Sequence, residues 1–214
     1  MTLDLFAAGS LWQRSRSKPM AKRVPKSAAI VGAADHGGWA VLVTVARGGT
    51  FIDRRRVELI DGGLPALPHH HEGQGLPIGE AVALVERVRT SANACAAACL
   101  DALAAAVPVT IEGIALRTCP PLPGTVAERI TDYRAQCVAD WVMYREALAK
   151  AAGARGWFVE WYDARRVFAA AAKALRRKSI DGLLAETGET LGPPWQKDHK
   201  TAMAAAIAAS VRKQ

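Results

Sequence analysis

No run of about 20 uncharged apolar residues, the length needed to cross a bilayer, occurs in this chain of 214 residues. Met1 to Gln13 lacks the positive-then-apolar order of a secretion signal. The expectation is a soluble, cytoplasmic protein with no membrane role. Cysteine is sparse: Cys95, Cys99, Cys119 and Cys137 include no C-x-x-C pair and fall mostly within helical patterns, where a thiol behaves as a small buried hydrophobe. A disulfide framework and a zinc ribbon are thereby set aside. Internal repeats are missing as well, and compositional bias is confined to alanine-rich helical segments.

Apolar residues are plentiful at 50%, and the length suits one domain with a sizeable core. The formal charge of +8 is unevenly distributed. Arg14, Arg16, Lys18, Lys22, Arg23 and Lys26 load the N-terminus, Arg54, Arg55 and Arg56 interrupt a strand pattern, and Arg165 to Lys178 holds a third cluster. Such clustering suits a polyanion, most simply nucleic acid, because several cations on one face displace counterions from phosphates. A solubilising surface with a basic tail is the other reading of charge alone.

Residues 1–26 carry little periodic hydrophobicity and read as a flexible basic arm; 27–214 read as one domain. Three strands are predicted at Ser27 to Asp35, Trp39 to Ala46 and Thr50 to Ile60, separated by the glycine turns "HGG" and "RGG". A Gly- and Pro-rich loop leads into a long helix with apolar residues three or four apart from Ile78 to Leu103. "VTIEGIAL" then predicts a fourth, internal strand, Val126 to Leu148 a second long helix, and "GWFVEWYDA" a fifth strand. Helices near Arg165 to Leu175, near Ile180 to Glu186 and from Asp198 onward complete the chain. Three hairpin-linked strands followed by alternating helices and strands predict an α/β fold of the ribonuclease H-like order: a mixed five-stranded sheet with helices on both faces.

"VGAADHGGWAVL" resembles the first-strand motif of RuvC-type Holliday junction resolvases, "VTIEGI" their fourth strand, "VEWYDARRVFAAAAKAL" their fifth strand and basic segment, and "KDHKTAMAAAIA" their last helix. The resemblance runs from about Ser27 to Ala209. It implies a homodimeric, divalent-metal-dependent endonuclease acting on DNA, in which Asp35, Glu112 and Asp198 hold Mg²⁺ or Mn²⁺ and His199 is an auxiliary ligand or base. Phosphodiester hydrolysis gives such a set a chemical reason, since metal ions held by few carboxylates steady the attacking and leaving oxygens. It also implies phosphate contacts from Arg165, Arg166, Arg176, Arg177 and Lys178.

Each residue also has a plainer role. Asp35 in "ADHGG" suits a turn, Asp198 suits a helix N-cap, and Glu112 in an internal strand needs a cation, an ion-pair partner or water. Arg54, Arg55 and Arg56 alternate faces, so at most two can reach one groove; a charge-protected edge strand explains them equally. His69, His70 and His71 lie in a loop expected at the same sheet edge as Asp35, where one of them is a candidate for contacting phosphate or assisting a metal-bound water. A polar solvent loop is the alternative. Trp141, Trp157, Trp161 and Trp195 are expected in the core or at an interface.

The chain departs from the family pattern twice. Thr201 occupies the fourth acidic position, and Gly32-Ala33-Ala34-Asp35 replaces the usual Gly-x-Asp. Alternation along a strand predicts that this one-residue slip turns Asp35 to the other face of the sheet unless a bulge corrects it. Both departures favour the alternative function, a degenerate ribonuclease H-like protein that binds nucleic acid or a protein partner without hydrolysis.

Overall fold

The computed structural model describes residues 28–211, so the basic arm expected at 1–26 lies outside the described residues. Three antiparallel strands come first: β1 (Ala28–Asp35), β2 (Trp39–Ala46) and β3 (Phe51–Glu58). Glycine makes both hairpins possible. Gly38 at φ 81°, and Gly48 and Gly49 at φ 90° and 88°, adopt backbone angles that a β-carbon disfavours.

Helix α1 (Ile78–Ala106) leads to β4 (Thr110–Arg117), which pairs in parallel with β1. Helices α2 (Val126–Thr131) and α3 (Tyr133–Gly153) then lead to β5 (Phe158–Tyr162), parallel to β4. The chain closes with α4 (Val167–Ala174), α5 (Asp181–Leu191) and α6 (Lys197–Ala209). Strand order β3-β2-β1-β4-β5, with these directions, is the mixed ribonuclease H-like sheet that the sequence predicts.

One difference is local. The single helix expected over Val126 to Leu148 breaks at Asp132, whose backbone is extended and whose carboxylate accepts from the N–H groups of Arg134 (2.8 Å) and Ala135 (3.0 Å). A short acidic side chain satisfies the open donors of a new helix start better than it serves a helix interior.

The two faces of the sheet bury separate cores. Val31, Ala33, Leu42, Ile114 and Leu116 pack beneath α1 and α3. Ile30, Ala34, Val41, Val43 and Ala115 pack against α4, α5 and α6. Alternation along β1 sends odd-numbered residues to the first core and even-numbered ones to the second. Helix α6 lies so close to β1 that a β-carbon on Gly32 would run into the Ala202 carbonyl. The alanine-rich sequence of α6 follows from that approach, because larger side chains would lift the helix off the sheet.

Among the described residues, no helix is long and apolar enough to cross a membrane.

Candidate anion-binding cleft at the carboxyl end of the parallel strands

Asp35 ends β1, Arg117 ends β4 and Tyr162 ends β5, so all three stand at one edge of the sheet. A cleft of about 840 Å³ opens there. Arg117, Arg145 and Arg165 line it, together with the acidic residues Asp35 and Asp163. Pro120, Pro121, Val138 and Trp141 form an apolar wall, and the Trp141 side chain is partly open to solvent.

Asp35 follows the face set by Val31 and Ala33 and points toward α3. There Arg145 Nε donates to Asp35 Oδ2 at 2.7 Å. The Asp35 side chain is 1% exposed and that of Arg145 7%. The other carboxylate oxygen, Oδ1, is buried without a hydrogen-bond partner. Burial raises the Asp35 pKa above the ordinary carboxylate value, an effect that Arg145 only partly offsets. Burial likewise pushes up the nearby Cys119 thiol, which Arg145 also contacts, and the Tyr162 hydroxyl, which donates to the Ala33 carbonyl at 2.9 Å.

The expected metal-binding set does not converge. Register across β1 and β4 is continuous from Ile30 to Gly32, where that pairing ends, and the one irregularity falls at Ala29/Ile30, where Glu112 occupies the extra position. No bulge separates Asp35 from Gly32 in the pairing with β2 either. The slip predicted from Gly-Ala-Ala-Asp is therefore uncorrected, and Ala34 points to the α6 face in place of a carboxylate. Asp198 is in the first turn of α6, on the opposite side of the sheet from Arg145, and accepts from His36 Nε2 at 3.0 Å.

Glu112 is near the start of β4, at the far edge of the sheet. Five residues of strand place it about 16–20 Å from Asp35. Its partner there is Arg47, at 3.2 Å, which meets the need for an ion pair or water that its strand position creates. His199 is held by its own helix start: its Nδ1 accepts from the Gln196 N–H at 3.3 Å, and its ring faces Trp195. It takes part in the cap of α6. Among the described residues, no group of three or more His, Cys, Asp and Glu side chains is close enough to hold a metal. The donor set consequently does not fit Mg²⁺ or Mn²⁺, which demand several oxygen ligands around one point.

The expected phosphate contacts divide in the same way. Arg54 spends its guanidinium on the carbonyls of Leu191, Gly192, Pro193 and Pro194, at 2.7–3.3 Å. Arg55 makes a bidentate pair with Asp53 at 2.8 and 3.0 Å. Arg56 pairs with Glu58 and lies 3.9 Å over the Trp39 ring, whose own partner is the stacked ring of His36 at 4.0 Å. Each of the three arginines thus has a protein partner: the segment after α5 for Arg54, Asp53 for Arg55, and Glu58 with Trp39 for Arg56.

Within the cluster from Arg165 to Lys178 only Arg165 lines the cleft. Arg166 is exposed beside Asp163. Arg176, Arg177 and Lys178 follow the other end of α4, where Leu175 lies against Gly49 at the far edge of the sheet.

The histidine loop does emerge at the Asp35 edge, where Leu67 meets Gly37, as a single π-helical turn over Pro68–Glu72 that buries Pro68 and His69. His69 is 1% exposed, and Asp140 of α3 accepts from the His69 N–H (3.0 Å), His69 Nδ1 (2.7 Å) and the His70 N–H (3.1 Å). This cluster ties the β3–α1 loop to α3. His70 is part-buried and His71 exposed; none of the three lines the cleft. His36, Arg117, Trp141 and Arg145 are the cleft residues that the sequence reading missed as a site. One signal was present: Asp140 and Arg145 interrupt the apolar stripe of a buried helix, where a charge requires a partner.

Strand order and direction are those of a ribonuclease H-like α/β fold. No family model and no curated protein matches the chain. Similar solved structures include T. thermophilus RuvC in complex with Holliday junction substrate, at 14% identity and a TM-score of 0.47, covering 86% of this chain and 92% of that one. A second, Thermus thermophilus RuvC, has 14% identity and a TM-score of 0.44, with 86% and 93% covered.

Proposed function

We infer that this protein binds nucleic acid through the phosphates, at the cleft between β1, β4 and β5, without metal-dependent hydrolysis. The observation that carries the reading is the balance of charge at that edge: three arginines line the cleft against two aspartates, while Glu112 and Asp198, expected to hold a metal with Asp35, are paired elsewhere with Arg47 and His36. Among the described residues, Arg117 acts on Asp35 through its charge without forming an ion pair, and Arg165 is held only by its backbone N–H on Asp163, which leaves both guanidinium groups available to phosphate oxygens. Trp141 and the two prolines add an apolar wall against which a sugar or base can lie.

The test is fluorescence anisotropy with single-stranded, duplex and four-way-junction DNA, in EDTA and in Mg²⁺. Binding that persists in EDTA, weakens steeply with salt and is reduced by R117A and R165A supports the reading. No binding to any of the three DNAs refutes it.

A second reading, divalent-metal-dependent DNA cleavage, draws on one observation: Asp35 Oδ1 is buried beside the cleft without a partner. Mg²⁺- or Mn²⁺-dependent cutting that D35N abolishes would establish it over the binding reading.

A further inference from the structure

We propose that Arg145 is the built-in cation of the Asp35 site: it pairs with the carboxylate that the sequence resemblance assigns to a metal, closes that carboxylate to metal ions, and presents the rest of its guanidinium to an anionic ligand. The one-residue slip at Ala34-Asp35 sends the carboxylate beneath α3 and leaves an alanine on the α6 face, where Asp198 is held by His36. On the α3 side Asp35 meets Arg145 at 2.7 Å with both side chains almost fully buried. A guanidinium suits that place better than Mg²⁺, because it is more weakly hydrated and needs no octahedral oxygen shell.

The orphan oxygen does not change the balance. Asp35 Oδ1 is one ligand atom, and the groups around it that act on its charge, Arg145 and Arg117, are both cationic and repel a divalent ion. Arg145 Nε is spent on Asp35, and the rest of the fork lies at the cleft beside Cys119. Asp35 is therefore a positioning residue: it orients the guanidinium that binds the ligand. The inference concerns the cation at Asp35 and stands whether or not the ligand is a nucleic acid.

The experiment follows the Arg145 Nε–Hε resonance in ¹⁵N spectra of the whole protein, assigned by its loss in R145K. The expected result is a signal that stays sharp in millimolar Mn²⁺ and moves when inorganic pyrophosphate is added in EDTA. Broadening of that signal by Mn²⁺, or no response to pyrophosphate, overturns the proposal. R145Q is expected to weaken pyrophosphate binding by about tenfold or more, the scale of a lost charge-assisted hydrogen bond. Should R145Q not fold, the resonance of the unaltered protein still decides. Pyrophosphate binding without DNA binding would retain this inference and remove the proposed function.

Discussion

Arg145 Nε lies 2.7 Å from Asp35 Oδ2, although 110 residues of chain separate them. The pair joins the end of a central strand to the helix packed over it, and most of its environment is apolar. Removing one member strands the other. R145A is expected to lower stability by about 3–5 kcal/mol in urea unfolding, and R145K by less.

The same pair sets a pH dependence. Burial raises the Asp35 pKa in the folded protein above the 3.8 of the free side chain, so the folded state holds this proton to higher pH than the unfolded chain does. The Asp35 contribution to stability thus falls as pH rises through the window that begins at 3.8. R145Q raises the folded pKa further and extends the loss upward. Unfolding curves of wild type, R145Q and R145Q/D35N across that range would measure it.

His199 has the opposite sign. Burial, followed by the nearby Arg54 charge, lowers its pKa from 6.5, and its Nδ1 accepts a backbone hydrogen bond that protonation removes. Below pH 6.5 the unfolded chain therefore takes up a proton that the folded protein resists. Stability should drop as the solution is acidified through that window, and H199N should flatten this part of the profile in thermal unfolding.

Asp140 anchors two loop amides and one imidazole nitrogen at once. D140A is expected to cost about 3 kcal/mol or more, since it leaves buried donors unpaired. H71A, at an exposed position, should stay within about 0.5 kcal/mol of wild type in the same urea titration.

Gly32 lies where α6 crosses β1, and the nearest obstacles to a β-carbon are backbone atoms of Ala202 and Ala206. Backbone cannot rotate away as a side chain can. G32A should therefore destabilise by about 3 kcal/mol or prevent folding, as read by circular dichroism and urea unfolding.

Arginines of similar appearance in the sequence should separate by experiment. R117A and R165A are each expected to reduce the slope of log binding constant against log salt by about 1 for DNA. R54A should leave that slope unchanged, because its guanidinium already serves four carbonyls, and should instead loosen the segment before Trp195.

The fold was legible because its determinants are local. Glycine turns, apolar alternation and helical spacing set strands and helices to within a few residues, and the order of elements implies one mixed sheet. The break at Asp132 escaped that reading because an apolar stripe continues through it while a single carboxylate decides the backbone. The consequence of Gly-Ala-Ala-Asp was also readable, since side chains in a strand alternate whatever packs on them.

Partners were another matter. That Glu112 meets Arg47, that Arg54 caps a loop from 137 to 140 residues away, and that Asp35 meets Arg145 depend on register and on which helix covers which face. By itself the sequence determined the architecture and the face on which Asp35 lies, since both follow from the stereochemistry of neighbouring residues. The tertiary structure alone decided that a guanidinium meets that carboxylate, because such a contact is fixed by the packing of distant elements rather than by any local pattern.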